Sequence, residues 1–316
     1  MKNDNYSLAV IIPCFRSSKV IEETCHEILQ LFQNKKLIKD SEIHLSRIIL
    51  VDDGADTATK KSLDLLSKNQ KIHLITLNKN YGQHPAIFAG VLNTTEDFIV
   101  TMDEDGEHDP KDIDKMFLTL LEKDLDIVYA LFKTKAFNGK EILSRSAKSL
   151  VSWISGDKSI KHFSSFRLVK GEIFRTAAIY ANNGAFLDIA IGWISNNIGL
   201  FETSKRNNKR NTTYNFKSLF SHFGKLFFAS GIRPLILLFN FGWIISILSL
   251  FGVIFIIYRR VFNFIPVQGW VSNTVVLMFF GGIIISALGL IARYISSIVE
   301  TSSGKPYFTI KNKSNG

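Results

Sequence analysis

Three consecutive acids, Asp103-Glu104-Asp105, follow directly on the apolar run Phe98-Ile99-Val100-Thr101-Met102. A short apolar run of this kind reads as a buried strand, so the carboxylates leave the strand's carboxyl end into a loop. Hard divalent cations want oxygen ligands, and Mg²⁺ typically takes one or two carboxylates plus substrate phosphates. A metal held this way neutralises charge developing on a departing diphosphate. Alone, an Asp-x-Asp is a weak signal that fits a solvated loop equally well. Its neighbours strengthen it. Val51-Asp52-Asp53-Gly54 ends a second apolar run with paired acids and a glycine turn, a layout suited to hydrogen-bonding a base and ribose. Asp53 also reads as a turn-forming acid. Asn80-Tyr81-Gly82-Gln83-His84-Pro85-Ala86 ends a third run, and Val10-Ile11-Ile12-Pro13 ends the first. Four strand ends carrying polar or turn chemistry on one edge make a site.

The elements that must position these residues alternate over the first 130 positions, as a mostly parallel α/β sheet requires. Strands are expected at Leu8 to Pro13, Arg47 to Val51, Ile72 to Leu77, Asp97 to Met102 and Asp126 to Leu131. Helices are expected at Lys19 to Phe32, Thr57 to Ser67, Pro85 to Leu92 and Pro110 to Leu121. Ligands of such sheets sit at the carboxyl ends of the strands. From Lys140 to about Ser204 the pattern is helix-like, broken by an extended piece near Phe163 to Leu168.

Composition divides the 316 residues unevenly. No Asp, Glu, Lys or Arg occurs from Pro234 to Tyr258 or from Val261 to Ala292, and a bilayer crossing needs roughly 20 apolar residues. Two spans are expected, at about 234 to 258 and 270 to 292, joined near Arg259 and Arg260. Just before them Phe216, Leu219, Phe220, Phe223, Leu226 and Phe227 share one helical face, with Lys217, His222 and Lys225 opposite. That pattern suits a helix in the bilayer interface, over about 215 to 231. Basic residues near the outer ends of the hairpin place both ends in the cytoplasm. The N-terminus runs from polar residues straight into a strand with no leader pattern, so a cytoplasmic head spanning 1 to 214 is expected, with a cytoplasmic tail over 296 to 316. The formal charge of +10 accompanies no nucleic-acid motif. It fits a membrane surface or a phosphate-bearing lipid. Cys14 and Cys25 lack metal-site spacing and read as packing residues.

These pieces together resemble glycosyltransferase family 2, and within it the polyprenyl-phosphate glycosyltransferases acting on dolichyl or undecaprenyl phosphate. The resemblance rests on VIIPCF at 10 to 15, VDDGAD at 51 to 56, NYGQHPAIFAG at 80 to 90, MDEDGEHDP at 102 to 110, FRL at 166 to 168, the two spans, and GKPYF at 304 to 308. It implies a GT-A fold, inverting displacement at an anomeric carbon, and Mg²⁺ or Mn²⁺. It further implies a nucleotide-sugar donor, most commonly a UDP-sugar, a polyprenyl phosphate acceptor, and assembly as a homo-oligomer through the hairpin. Pro13, Phe15, Asp52, Asp53, Asn80, Gly82 and Glu104 then belong to the donor pocket. Asp103 and Asp105 bracket the metal and diphosphate.

Departures from the family pattern fall on both sides of the site. Arg16-Ser17 stands where many relatives have Asn-Glu, so an acidic contact there is lost or moved. Ser165 stands where relatives that read Gly-Asp-Phe-Arg-Leu have an acid, and a serine is no general base. A phosphate acceptor, with a second pKa of about 6, needs orientation more than deprotonation. The alternative is Asp188, a lone acid in the apolar stretch Phe186-Leu187-Asp188-Ile189-Ala190, where burial raises a carboxyl toward a useful base. Arg167 suits bidentate phosphate binding. Arg206 and Arg210, in the basic run Lys205 to Thr212, read either as steering an anionic headgroup or as a solvated loop.

Overall fold

In a computed structural model, placement is described for residues 4–132, 163–181, 187–204, 206, 270–302 and 306–314, and for isolated positions 244, 251 and 258. Nine strands among these form one sheet. They are β1 (Asp4–Cys14), β2 (Lys36–Ile38), β3 (Ser41–Asp52), β4 (Ile72–Leu77), β5 (Phe98–Thr101), β6 (Ile127–Phe132), β7 (Arg167–Lys170), β8 (Ile198–Thr203) and β9 (Ile310–Ser314). The order across the sheet is β8-β6-β7-β5-β1-β3-β4-β9, with β2 pairing antiparallel to β3. Its centre is parallel, β5 to β1 to β3 to β4. Around that centre, β7 inserts antiparallel between β5 and β6, and β9 adds antiparallel to β4.

Helices cover both faces. On one side lie α1 (Ser18–Leu31), α2 (Thr57–Leu66) and α4 (Asp112–Glu122); on the other lie α3 (Gln83–Val91), α5 (Gly171–Ala181) and α6 (Leu187–Ile194). Strand β1 shows why both are needed. Leu8, Val10 and Ile12 pack toward α1 and α4, while Ile11 packs toward α3, and Leu8 to Ile12 are all fully buried. A strand buried on both faces reads as a continuous apolar run. Each such side chain contributes roughly 1.5–3 kcal/mol by leaving water. Helix α3 approaches closely, since a Cβ on Gly90 would lie 2.6 Å from Ile11 Cγ2.

The sheet follows the expected strands closely. Ile72–Leu77 agrees to the residue. β1 and β3 extend further toward their amino ends than their apolar runs, because Asp4 to Leu8 pair with Ser41 to Leu45 in a ladder that polar residues also support. The extended piece expected at 163 to 168 forms a strand slightly later, at Arg167–Lys170.

No helix among the described residues is long and apolar enough to cross a membrane. The second expected span nevertheless lies inside a single helix, α7 (Trp270–Ser302), many of whose side chains fall outside the described set. The interfacial helix expected at 215 to 231, the first span near 234 to 258 as a continuous element, and Arg210 lie outside the described residues.

Candidate active site

Strand β5 delivers the acidic motif to the middle of the sheet's carboxyl edge, beside the ends of β1 and β3. Pairing continues one step past β5, Met102 N–H donating to Ile11 C=O at 3.1 Å. The three acids then diverge.

Glu104 turns back onto the loop after β1. Its carboxylate accepts the Phe15 N–H at 2.7 Å, the Arg16 N–H at 2.9 Å and the Ser17 hydroxyl. Three donors converging on one charged acceptor fix the loop that carries Pro13 and Phe15. The acid expected to be lost or moved from position 17 is thus supplied to that turn from the motif itself, and Glu104 acts here as a loop staple. Asp103 accepts Gln83 Nε2 on Oδ1 and the Ser165 hydroxyl on Oδ2, the latter at 2.5 Å. Its own N–H donates to His108 Nδ1 at 3.1 Å, and His108 Nε2 lies 3.7 Å from Asp103 Oδ2. The imidazole is buried and stacked between the rings of Phe132 and Phe166. A neutral ring with Nδ1 as acceptor leaves the Nε2 proton facing Asp103. His108 is a site residue that sequence reasoning passed over, since the two rings that sandwich it, Phe132 and Phe166, lie far downstream of the motif on separate segments. Asp105 Oδ1 accepts the Glu107 N–H at 3.0 Å, which closes the turn.

The second acidic pair also holds backbone. Asp52 accepts the Ala55 N–H at 2.6 Å. Asp53 accepts the N–H groups of Tyr81 at 2.7 Å and Gly82 at 2.8 Å. Burial raises the Asp53 carboxyl above its ordinary range, an effect the two N–H groups partly offset. The loop after β4, with Asn80 and Gly82, is therefore anchored to the loop after β3. Gly54 permits that approach, with φ of +75° and a Cβ position 3.1 Å from Asn80 N. Asp52 and Asp53 are both buried, and each carboxylate holds a loop through backbone N–H groups.

On the other side of β5 the charges face inward. Arg167 and Asp188 form a buried ion pair, Nη1 to Oδ1, each about 95% or more shielded from solvent. Arg167 Nε donates to Thr101 Oγ1 at 3.1 Å, and the Tyr129 hydroxyl donates to Asp188 Oδ1 at 3.0 Å. Burial pushes the Tyr129 phenol well above its usual range, and the Asp188 charge adds to it. Arg167 and Asp188 thus neutralise each other beneath the site. In this arrangement Arg167 Nη1 is engaged by Asp188, and Asp188 Oδ1 by both Arg167 and Tyr129. Arg206 binds Glu27 at 2.7 Å and Asp109 at 3.0 Å, and its N–H donates to Glu107 C=O at 3.0 Å. Burial lowers its affinity for the proton, but the two carboxylates outweigh that and raise it. Cys14 and Cys25 are free and buried, with the Cys25 thiol pushed up to about 12 by burial, which fits packing and excludes thiolate chemistry there.

A model of glycosyl transferase family 2 matches residues 9–181, more than half of the chain. The chain belongs to glycosyl transferase family 2. It is a glycosyltransferase with an α/β, GT-A-like fold. Among relatives of this family 2 member, a bactoprenol glucosyl transferase of Shigella phage SfV is 23% identical over 312 residues, spanning 97% of this chain and 98% of that protein. An uncharacterized glycosyltransferase of Synechocystis is 22% identical over 310 residues, spanning 96% of this chain and 95% of that protein. A solved structure of glucosyl-3-phosphoglycerate synthase from Mycobacterium tuberculosis with Mn²⁺, UDP-glucose and phosphoglyceric acid shares the fold. Its TM-score is 0.50 at 13% identity, covering 72% of this chain and 80% of that one.

Asp103 and Asp105 fit a divalent cation by donor chemistry, being hard carboxylates with one residue between them on a pinned turn, with about four lone-pair sites each. Among the described residues, no group of three or more His, Cys, Asp or Glu side chains is arranged to hold a metal. Two carboxylates completed by a substrate diphosphate remain the set that the motif offers.

Proposed function

We propose that this family 2 glycosyltransferase moves one sugar, with inversion, from a UDP-sugar to a polyprenyl phosphate at the cytoplasmic face of the membrane. The observation that carries the reading is the Asp103-Glu104-Asp105 turn at the centre of the sheet edge, where Glu104 and Asp53 lock the flanking loops and Asp103 and Asp105 stand together as the carboxylate pair that would hold a metal-bound diphosphate. Relatives named bactoprenol glucosyl transferase, alike over nearly their whole length, support the lipid acceptor. The Mn²⁺ and UDP-glucose of the structural neighbour support the donor class and the metal.

In this reading an acceptor phosphate oxygen forms a bond to the anomeric carbon while the bond to the nucleoside diphosphate breaks, the electron pair leaving with the diphosphate. Mg²⁺ or Mn²⁺ at Asp103 and Asp105 supplies charge neutralisation for that leaving group. Pro13, Phe15 and the Asn80 to Gly82 loop line the nucleotide. Arg206 anchors the basic segment to the motif loop, and Arg210 is assigned to the lipid phosphate. A hydroxyl acceptor needs a base, and Asp188 is occupied by Arg167 and Tyr129. An already ionised phosphate fits a site with that acid engaged. The apolar side chains of α7 fit a lipid surround, with Leu277, Ile284, Leu288, Ile295 and Ile298 all exposed.

The test uses protein purified in lipid nanodiscs, Mn²⁺, a panel of radiolabelled nucleotide-sugars, and either a short polyprenyl phosphate or a hydroxyl-bearing lipid saccharide. Transfer to the phosphate alone is expected. Transfer to the hydroxyl lipid alone sinks the acceptor assignment, and no transfer from any donor sinks the reading as a whole.

A further inference from the structure

The segment from Tyr307 to Ser314 follows α7 and returns to the head, where it lies against the loop between β4 and α3. Strand β9 pairs antiparallel with β4, matching Leu74 to Ser314 and Leu77 to Ile310. Just before it, Tyr307 packs against Phe88 of α3 with ring centroids 5.5 Å apart, and Phe308 and Ile310 join the same apolar cluster. Between these contacts stands Thr309. Its C=O accepts the Asn78 N–H at 3.0 Å. Its hydroxyl accepts Asn78 Nδ2 at 2.7 Å and shares a hydrogen bond with the Tyr81 hydroxyl, also at 2.7 Å. Those partners lie more than two hundred residues away in sequence.

Tyr81 is the residue through which the loop can be held or lost. Its main chain is tied to Asp53, as is that of Gly82. Gly82 has φ of +97°, and a Cβ there would meet nothing within 4 Å. The hydrogen bonds of this left-handed residue run from its N–H to Asp53 and to its C=O from the Ala86 N–H. The next residue, Gln83, donates to Asp103. A continuous path thus runs from Thr309 through Tyr81 and Gly82 to the amide that orients the first motif aspartate.

We propose that Thr309 is a positioning residue for donor binding, and that the C-terminal strand is a strap holding the Asn80 to Gly82 loop and the Gln83 amide in register with Asp103. Because the strap emerges from the end of α7, its docking ties that helix to the donor pocket. The inference rests on the reading of this loop as part of the nucleotide site.

Thr309→Val keeps the β-branched shape and the main-chain pairing but removes the hydroxyl, and Thr309→Ser restores it. Two measurements are made on the full chain in nanodiscs: amide hydrogen exchange of residues 78–83, and the KM for the nucleotide-sugar together with kcat. The valine variant is expected to exchange about tenfold faster in this segment alone and to raise the donor KM by about five- to tenfold with kcat nearly kept, the loss of one or two hydrogen bonds. The serine variant is expected to return both toward wild type. Unchanged exchange at 78–83 overturns the strap. Faster exchange with an unchanged donor KM, or a fall in kcat that serine fails to rescue, overturns the positioning role. If the wild type turns over no nucleotide-sugar, the functional reading fails, and the exchange comparison alone then decides the strap.

Discussion

The carboxyl edge of β1, β3 and β5 and the interior junction of β7 with α6 use the same residue type in opposite ways. At the edge, Glu104, Asp52 and Asp53 spend their charge on backbone N–H groups of neighbouring loops. At the junction, Asp188 spends its charge on a guanidinium, sealed from water. A carboxylate that accepts loop amides fixes a rim without closing it, and Asp103 and Asp105 adjoin that rim only half-buried. One that neutralises a buried arginine fixes the floor. The difference gives the loops their anchoring at the edge and the sheet its charge neutralisation beneath them.

Breaking the rim at its reactive point should have the largest effect. Asp105→Asn keeps the shape and the acceptor for Glu107 N–H but removes a charged ligand. Turnover should fall by about a thousandfold, the several kcal/mol that a metal contributes to leaving-group stabilisation. Circular dichroism and thermal melting should be unchanged. Near-normal turnover at saturating Mn²⁺ would take the motif out of the mechanism.

Asp188→Ala tests the floor. It strands Arg167 in a dry site and removes the acceptor of the Tyr129 hydroxyl, so about 3 kcal/mol of stability should be lost. A denaturant melt of the full chain measures this directly. If Asp188 were instead a general base, turnover would collapse while the melt stayed put, and the division between rim and floor would fail.

This division was only half legible in the sequence. The rim announces itself because each acid follows an apolar strand, and strand periodicity reads from five or six residues. That is why Ile72–Leu77 and the Asp103 turn fall where expected. The floor is hidden because an ion pair is a property of two elements. Arg167 and Asp188 stand 21 positions apart, on a strand and a helix that no local pattern brings together. Asp188 in its apolar stretch correctly signalled burial, but burial alone does not distinguish a raised-pKa base from half of a salt bridge. Glu104 is a related case: the sequence assigns it to the donor pocket by its place in the motif, and only the fold shows its carboxylate turned toward Phe15, Arg16 and Ser17. Strand β9 was invisible because Ile310–Ser314 is polar and draws its strand character from the β4 ladder.

A gentler break at the rim is Glu104→Ala, which frees two backbone N–H groups and the Ser17 hydroxyl at once. Lost charge-assisted hydrogen bonds should cost about 2 kcal/mol, less where water reaches the amides. Donor KM should rise while kcat per bound donor is largely retained, since the loop carrying Pro13 and Phe15 loosens without altering the metal ligands. Isothermal titration with UDP, alongside steady-state kinetics, separates the two. A loss confined to kcat would mean that Glu104 itself faces the reacting groups.

The smallest effect is expected for Arg206→Ala, and it asks on which side of the comparison the basic segment belongs. Its guanidinium is about a third exposed and already holds Glu27 and Asp109. Partly solvated pairs contribute little, so about 0.5–1 kcal/mol of stability should be lost. The main-chain hydrogen bond to Glu107 C=O survives the substitution, and the motif turn should keep its shape. The KM for polyprenyl phosphate should then stay within about twofold of wild type. A rise of tenfold or more with an unchanged melt would show Arg206 releasing its carboxylates to take the lipid phosphate, and would move it from the fixed rim to the acceptor's contacts.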